Sequence, residues 1–450
     1  MKYLFLSLFF VAGVAEAKST FLDSINRTKW GDLEVVWIED SKFPRFTASI
    51  MFQDGAITDP VAGLTQATLD LFASGTSKEN QRELSEFFDF YGANIKHTVT
   101  HEYSVMSVQA LTKDITPVIS KVCEIFKDAR FPEDELNSYV SRSKSHLRNL
   151  VTSHSALADR IYRNLSLKNT AYDRPVEGTL LSFEKMTSTL LKERLDLLNR
   201  TKKVLYISGP PEIKAMKNIL GKNCNWSNQN NAAVGTLKKP TEESVIYLAE
   251  VPGDANQAQI RIGRYLTLDE VKGKHDQFQF LSTFLGGGFT SKLVQELRVK
   301  RGLTYSAGAY VSMQRDYGRA GIITFSKNET TAEAISIIRD VFAEVGAGLV
   351  SKKEFEHQQN HLIGGYAFGF EETTAFLGQI MQYDHQGRDL KELVNFPQTI
   401  KNLTPTSLSQ ASYEVFPWER MTILVLGDKS LVKSLSRIRP VKIINYEDFL

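Results

Sequence analysis

Apolar residues recur along this chain with two periods, and the order in which those periods alternate is repeated. Val204-Leu205-Tyr206-Ile207-Ser208-Gly209 is a short apolar run closed by glycine, which predicts a buried strand, and a short helix follows from Glu212. Thr422-Ile423-Leu424-Val425-Leu426-Gly427 has the same character and is followed by a short helix over Ser430–Leu435; the two glycines lie 218 residues apart. Pro132-Glu133-Asp134-Glu135-Leu136 opens a helix with acidic residues in its first turn, where the dipole favours them. Ser351-Lys352-Lys353-Glu354-Phe355 opens another, and Leu136 to Phe355 is 219 residues. Upstream, two strands and an amphipathic helix are predicted over Asn94–Thr98, Tyr103–Leu111 and Pro117–Phe126, and again over Tyr305–Met313, Gly321–Ser326 and Ala332–Leu349. Several matched pairs in one order at nearly one offset indicate duplication. Each half then reads as an α+β domain, a mainly antiparallel sheet with helices packed on one face.

The halves are separated by Asn225–Ser244, a polar stretch with Lys-Lys-Pro that reads as a linker. The expected domains are therefore Lys18–Cys224 and Val245–Leu450. Met1–Ala17 stands apart: Lys2, an apolar run over Leu4–Val14, then Ala15-Glu16-Ala17 with small residues where an A-x-A cleavage site needs them. A membrane span needs roughly 20 apolar residues, so this segment reads as a removable secretory signal and the protein as exported. With 42% hydrophobic and 24% charged residues the chain is globular, and 54 basic against 52 acidic residues leave no basic surplus for nucleic acid. Cys123 and Cys224 are the whole cysteine inventory. An exported protein could bridge them, but Cys123 falls in the helical pattern of Val118, Val122, Ile125 and Phe126, so the sequence favours a buried, unpaired thiol.

The most distinctive segment runs from Leu285-Gly286-Gly287-Gly288-Phe289-Thr290-Ser291-Lys292-Leu293 through Arg298 to Arg301-Gly302-Leu303-Thr304-Tyr305. The glycines release the chain from one helix, Leu293 and Leu297 mark the apolar side of the next, and Gly302 suits the left-handed position that ends it. A nucleotide-binding loop is excluded, because Lys292 follows Ser291 and precedes Leu293 where Gly-Lys-Ser/Thr is needed.

This passage resembles the C-terminal half of the insulinase/pitrilysin-type inverted zincins, particularly the processing-peptidase-like branch. The likeness extends over essentially the whole mature chain, since that family also has duplicated α+β halves joined by a linker in a clam-like arrangement. The resemblance implies that Arg298 and Tyr305, seven residues apart, are the pair that grips a substrate backbone opposite a zinc ion. The chemistry suits the role: a guanidinium offers forked donors to peptide carbonyls, and a phenol can donate to a developing oxyanion. Family members with their own active centre carry His-x-x-Glu-His on a helix, two zinc ligands and a general base on one face. The matching helix here is Gly63–Thr76, where Gln66 and Asp70 stand at the histidine positions and Leu69 at the glutamate position. The later acidic ligand falls on His146, 76 residues beyond Asp70. A catalytic zinc normally has three protein ligands, and Asp70 with His146 supplies two, so no metal is expected in this chain.

The remaining histidines read as ordinary surface. His357 and His361 are at i, i+4 but enclose Gln358, Gln359 and Asn360, which fits a solvated or capped helix face. His97 and His101 share a strand face by alternation, with Glu102 beside the latter and no third ligand; His154 and His275 have no ligand pattern around them. The resemblance thus implies a non-catalytic subunit of an exported heterodimeric zinc metallopeptidase, located in a bacterial periplasm. Its partner would be a family member with intact His-x-x-Glu-His holding the zinc, and the substrate a peptide or unfolded polypeptide. The competing readings are a stand-alone pseudopeptidase that captures peptides and a scaffold comparable to the core subunits of the respiratory bc1 complex.

Overall fold

The computed structural model describes residues 22–224, 240, 243–251 and 255–450. The expected signal, and all of the expected linker but residues 240, 243 and 244, lie outside them. The strands are β1 Ile25–Trp30, β2 Leu33–Glu39, β3 Arg45–Phe52, β4 Asn94–Val99, β5 Ser104–Leu111, β6 Lys203–Gly209, β7 Ile246–Glu250, β8 Gln257–Thr267, β9 Ala307–Met313, β10 Tyr317–Lys327, β11 Thr422–Gly427 and β12 Val441–Ile444. The helices used below are α1 Leu64–Asp70, α2 Ile115–Asp128, α3 Glu133–Asn149, α4 His154–Leu167, α5 Ser188–Arg200, α6 His275–Gly286, α7 Thr331–Gly346, α8 Lys352–Tyr366 and α9 Thr373–Gln386.

Two six-stranded sheets result, ordered β1-β2-β6-β3-β5-β4 and β12-β7-β11-β8-β10-β9. Five positions correspond strand for strand, and only the outer edge differs: β1 joins β2 antiparallel, whereas β12 joins β7 parallel. Parallel pairs β2–β6 and β7–β11 make both sheets mixed, while β3–β5, β3–β6, β8–β10, β8–β11 and the edge pairs β4–β5 and β9–β10 are antiparallel. The duplication read from the 218–219 residue offset is thereby a duplication of topology.

Helices cover both faces of the central strands, which corrects the expectation of one covered face. Along β11, Ile423 and Val425 join the core formed with Phe280, Phe284, Ile335, Ile338 and Phe342 of α6 and α7. Leu424 and Leu426 on the opposite face pack against Leu157, Ile161 and Leu165 of α4. In the first sheet Val204 and Tyr206 pack with Phe376, Leu377 and Ile380 of α9. Coverage on both sides is why these strands are unbroken apolar runs rather than alternating ones.

The covering helices are exchanged between the sequence halves. The first compact unit comprises the described residues of Met1–Arg142, Val176–Gly235 and Gly369–Val394; the second comprises those of Ser143–Pro175, Thr236–Phe368 and Asn395–Leu450. The first unit therefore takes α9 from the C-terminal half, and the second takes α4 from the N-terminal half. The compact units are thus discontinuous in sequence, whereas the expected domains 18–224 and 245–450 are sequence halves.

The cysteines are also corrected. Cys123 and Cys224 form a disulfide with Cα atoms 4.5 Å apart, closing a sequence separation of 101 residues. Cys123 lies on the buried side of α2, as its apolar neighbours indicated, but the turn Leu220–Cys224 after β6 folds back on that helix and brings the second sulfur to it. A loop of that size is worth about 4.7 kcal/mol in the chain-entropy model. Reduction should lower the melting temperature of the first unit's transition and leave the second unit's transition in place. Calorimetry with and without a phosphine reductant measures this, and an unchanged first transition would refute a structural role for the bridge.

Candidate functional site

The first unit contains α1, the helix matched in the sequence to a zinc-binding motif, and its polar side is bonded internally. Leu64, Ala67, Thr68 and Leu69 bury one side of α1, leaving Gln66 and Asp70, at i, i+4, on the other. Leu69 is 2% exposed, a core residue where a general base would need to meet water. Around Asp70 three donors converge. Gln66 Nε2 donates to Oδ2 at 3.0 Å, Tyr139 Oη donates to Oδ2 at 3.0 Å, and His97 Nε2 lies 2.9 Å from Oδ1. Gln66 Nε2 also approaches His97 Nε2 at 3.2 Å. One ring nitrogen cannot give and receive the same proton, so the imidazole N–H goes to the carboxylate and the amide approach is a close contact. Burial alone would raise Asp70, but the bonds from His97, Gln66 and Tyr139 outweigh it and hold the carboxyl below its ordinary range.

Two of these partners were missed by sequence reading. His97 is not surface: alternation on β4 places Ile95, His97 and Val99 on the better-covered side, and that pattern was the available signal. His101 does not share its face, because β4 ends at Val99. Glu102 pairs with buried His385 of α9 at 2.8 Å. Tyr139 follows buried Leu136 by three residues on α3, the spacing of one helix face. His146, exposed two turns beyond Tyr139, takes no part in the cluster. A zinc ion does not fit here. The donor set is one carboxylate whose oxygens already accept three hydrogen bonds and one imidazole bound to it, and among the described residues no group of three His, Cys, Asp or Glu is placed to hold a metal.

Behind α1 a buried charge cluster fixes its position. Arg194 of α5 contacts Asp54 at 2.9 Å and Asp59 at 3.2 Å, and its Nη2 donates to the Gly55 carbonyl at 2.9 Å. Asp59 in turn accepts from the Thr65 amide at 2.9 Å and the Thr65 hydroxyl at 2.6 Å, holding the first turn of the helix. Burial pushes Asp59 up to about 6 despite Arg194 and Thr65 acting in the other direction.

In the second unit the glycine-rich segment forms the turn read from the sequence. α6 ends at Gly286, and Lys292–Val294 starts a short helix that continues as a π-helical stretch over Gln295–Val299, a geometry frequent at functional sites. Leu293 and Leu297 are fully buried. Gly302 has φ +65°, and its amide bonds back to the Arg298 carbonyl at 3.0 Å, the bond of an αL ending, while the Leu303 amide reaches the Leu297 carbonyl at 2.8 Å. The turn is braced from α8: His357 Nε2 and Gln358 Nε2 each lie 3.1 Å from the Thr290 hydroxyl. His357 is thus part of this brace and not a merely solvated face.

The cations of this segment differ in one respect. Lys292 lies among Glu296, Glu344 and Glu354; Lys300 reaches Glu296 at 2.5 Å and Arg301 reaches it at 2.6 Å. Arg298 has no carboxylate or hydrogen-bond partner for its guanidinium among the described residues. Its Cζ lies 5.2 Å from the ring centroid of Phe289, which is itself 60% exposed. Tyr305, just before edge strand β9, is 76% exposed. Both residues named by the sequence are therefore open to solvent on well-braced backbone, with no hydrogen bond or cation–π contact between them.

Two mixed sheets of common topology, a motif helix with Leu69 where a base would stand, and an exposed Arg/Tyr pair after a glycine turn define a peptidase-like chain. Residues 34–179 match the family described as insulinase (peptidase family M16), and residues 204–362 match the M16 inactive domain. The chain belongs to the insulinase M16 family and stands with its non-catalytic members. It is 22% identical over 385 residues to an uncharacterised zinc protease of Streptomyces coelicolor, covering 82% of each chain. It is 20% identical to a non-peptidase homologue of Helicobacter pylori, over 86% of this chain and 88% of that one. Its fold is that of an M16 inactive-domain structure from Pseudomonas fluorescens, with a TM-score of 0.80 at 19% identity over 90% of this chain and 98% of the other.

The Asp70 cluster has a pH signature. A carboxyl held below its unfolded value, about 3.9, contributes stability that is present above that value and is lost as pH falls through the lower folded value. Asp70→Asn should cost about 1 kcal/mol at pH 7, a figure kept small because the group is partly exposed, and the difference from the native chain should close as pH falls below 4. Urea titrations at several pH values measure it; a difference that does not change with pH would refute the ionised, triply bonded carboxylate.

Proposed function

We propose that this chain is the non-catalytic subunit of an exported heterodimeric zinc metallopeptidase. A partner of the same family, with intact His-x-x-Glu-His, supplies zinc and general base, and this chain supplies Arg298 and Tyr305 to the substrate. The observation that carries the reading is the contrast within one segment: three cations are neutralised by glutamates while Arg298 keeps its donors open beside an exposed phenol. A scaffold has no use for an unneutralised guanidinium on a braced turn, whereas a peptide carbonyl fits it. Loss of the base at Leu69 and saturation of Asp70 support assignment of the zinc chemistry to another subunit. The Cys123–Cys224 bridge supports export, because disulfides persist in oxidising compartments such as a bacterial periplasm.

In this reading the guanidinium holds a substrate carbonyl in its fork, and the Tyr305 hydroxyl donates to the oxygen on which charge develops. The substrate is a peptide or an unfolded stretch of polypeptide, since both groups address the backbone. In the two-subunit enzyme, Tyr305→Phe should lower kcat by about 10²–10³, equivalent to about 2.7–4 kcal/mol. Arg298→Lys keeps the charge, loses the fork and should raise KM. Neither residue is core, so melting temperatures should hold. Full activity of the Tyr305→Phe enzyme would refute the oxyanion role, and lost activity accompanied by unfolding would mark both residues as packing elements.

A further inference from the structure

The outer face of the second sheet carries a second arginine whose surroundings are built and whose charge is unmet. Residues 261, 263 and 265 of β8, 317, 319 and 321 of β10, and 310 and 312 of β9 project to this face. Arg319 stands between Tyr265 and Ser312 in the strand register. Arg261, on the same face, has the full set of partners that a structural arginine needs. Its Nε reaches Asp159 at 2.5 Å, and its other nitrogens donate to the Ser155 hydroxyl and carbonyl and to the Ile260 and Thr324 carbonyls. Arg319 lacks such a set. Its Nε is shielded from solvent and has no acceptor, and its guanidinium makes no hydrogen bond or ion pair with any described residue.

What surrounds Arg319 is aromatic. Its Cζ lies 5.7 Å from the ring centroid of Tyr162, a fully buried residue of α4. Tyr162 and Tyr310 are hydrogen-bonded through their hydroxyls, and their rings reach the backbone only because Gly263 and Gly321 lie beneath them. A Cβ on those glycines would fall 2.3 Å from the Tyr162 hydroxyl and 2.7 Å from that of Tyr310. Tyr265 and Tyr317 stack at 5.7 Å on the other side. Burying a guanidinium nitrogen without an acceptor costs stability, and an aromatic surround strengthens any charge pair formed there. Ser312, exposed and directly opposite Arg319 on edge strand β9, adds a hydroxyl donor to the same spot.

We propose that Arg319, with Ser312, is a carboxylate-binding subsite that anchors an acidic group of the bound peptide; this rests on the peptide-binding function proposed above. Ser312 lies seven residues along the chain from Tyr305, about 23 Å for extended backbone, so the two contacts lie just before edge strand β9 and near its far end. A peptide held at both therefore needs about seven extended residues between the group at Tyr305 and the carboxylate at Ser312 and Arg319. That carboxylate is either an Asp or Glu side chain or the peptide's own C-terminus.

Calorimetric titration of the full chain tests this with three unlabelled decapeptides of one sequence. One has a glutamate eight residues from its start and a free C-terminus, the second has that glutamate replaced by glutamine, and the third has an amidated C-terminus. The expected result is a roughly tenfold loss of affinity for one of the two neutralised peptides, which identifies the carboxylate source. Arg319→Met should bind all three peptides with the weaker affinity while melting at or above the native temperature, since it removes an unmet buried donor. Arg319→Lys, which keeps a charge, should retain part of the discrimination and serves if the methionine variant does not fold. Equal affinity of the native chain for all three peptides, with binding still weakened by Arg298→Lys, overturns the Arg319 subsite alone. So does unchanged discrimination in Arg319→Met, or a lower melting temperature with unchanged binding. No binding of any peptide by the native chain overturns the subsite together with the peptide-binding reading.

Discussion

A carboxylate oxygen can bind a metal or accept hydrogen bonds from a ring of donors, and at Asp70 it does the second. Gln66, His97 and Tyr139 occupy its lone pairs from α1, β4 and α3 respectively. Three elements are thus tied together at Asp70. With Leu69 turned into the core, α1 keeps its place and loses its chemistry. The charge cluster of Arg194, Asp54 and Asp59 shows that position is still held tightly, since a buried charge retained without partners would be expensive. The first unit holds its motif helix through hydrogen bonds and buried charge alone among the described residues.

The second unit keeps the opposite balance. Its glycine turn, π-helical stretch and left-handed Gly302 are backbone features that cost conformational freedom, and α8 commits two polar side chains to bracing Thr290. In the core they support Leu293, Val294 and Leu297. They also fix the backbone under Arg298 and Tyr305, two side chains that face solvent. Rigid backbone under exposed, unneutralised donors is the arrangement expected of groups that meet a ligand.

Much of this was readable from residues, and the failures share one cause. Gly302 was legible because a left-handed helix ending nearly demands glycine, and Leu293 and Leu297 because their spacing has one helical meaning. The strands Val204–Ser208 and Thr422–Leu426 were legible as buried from their unbroken apolar runs, although the same runs also meant helices on both faces, which the one-face expectation overlooked. Which helices cover them was not legible. The apolar stripes of α4 and α9 show that a face is buried and not against which sheet, so the exchange between halves stayed hidden. The same limit explains the cysteines: Cys123 read correctly as buried, but only the fold of Leu220–Cys224 brings its partner to it. His97 is the intermediate case, where alternation with Ile95 and Val99 marked its side of the strand while nothing in the sequence named Asp70 as the neighbour.

The division of labour between two subunits is most directly tested by purifying the tagged chain at native abundance from its own host and identifying what accompanies it. The expected result is a near-equimolar family member with intact His-x-x-Glu-His, in a complex that contains zinc and cleaves peptides, while the separated chain does neither. Recovery of this chain alone, at native abundance and with no such relative bound, would contradict a role as half of a metallopeptidase.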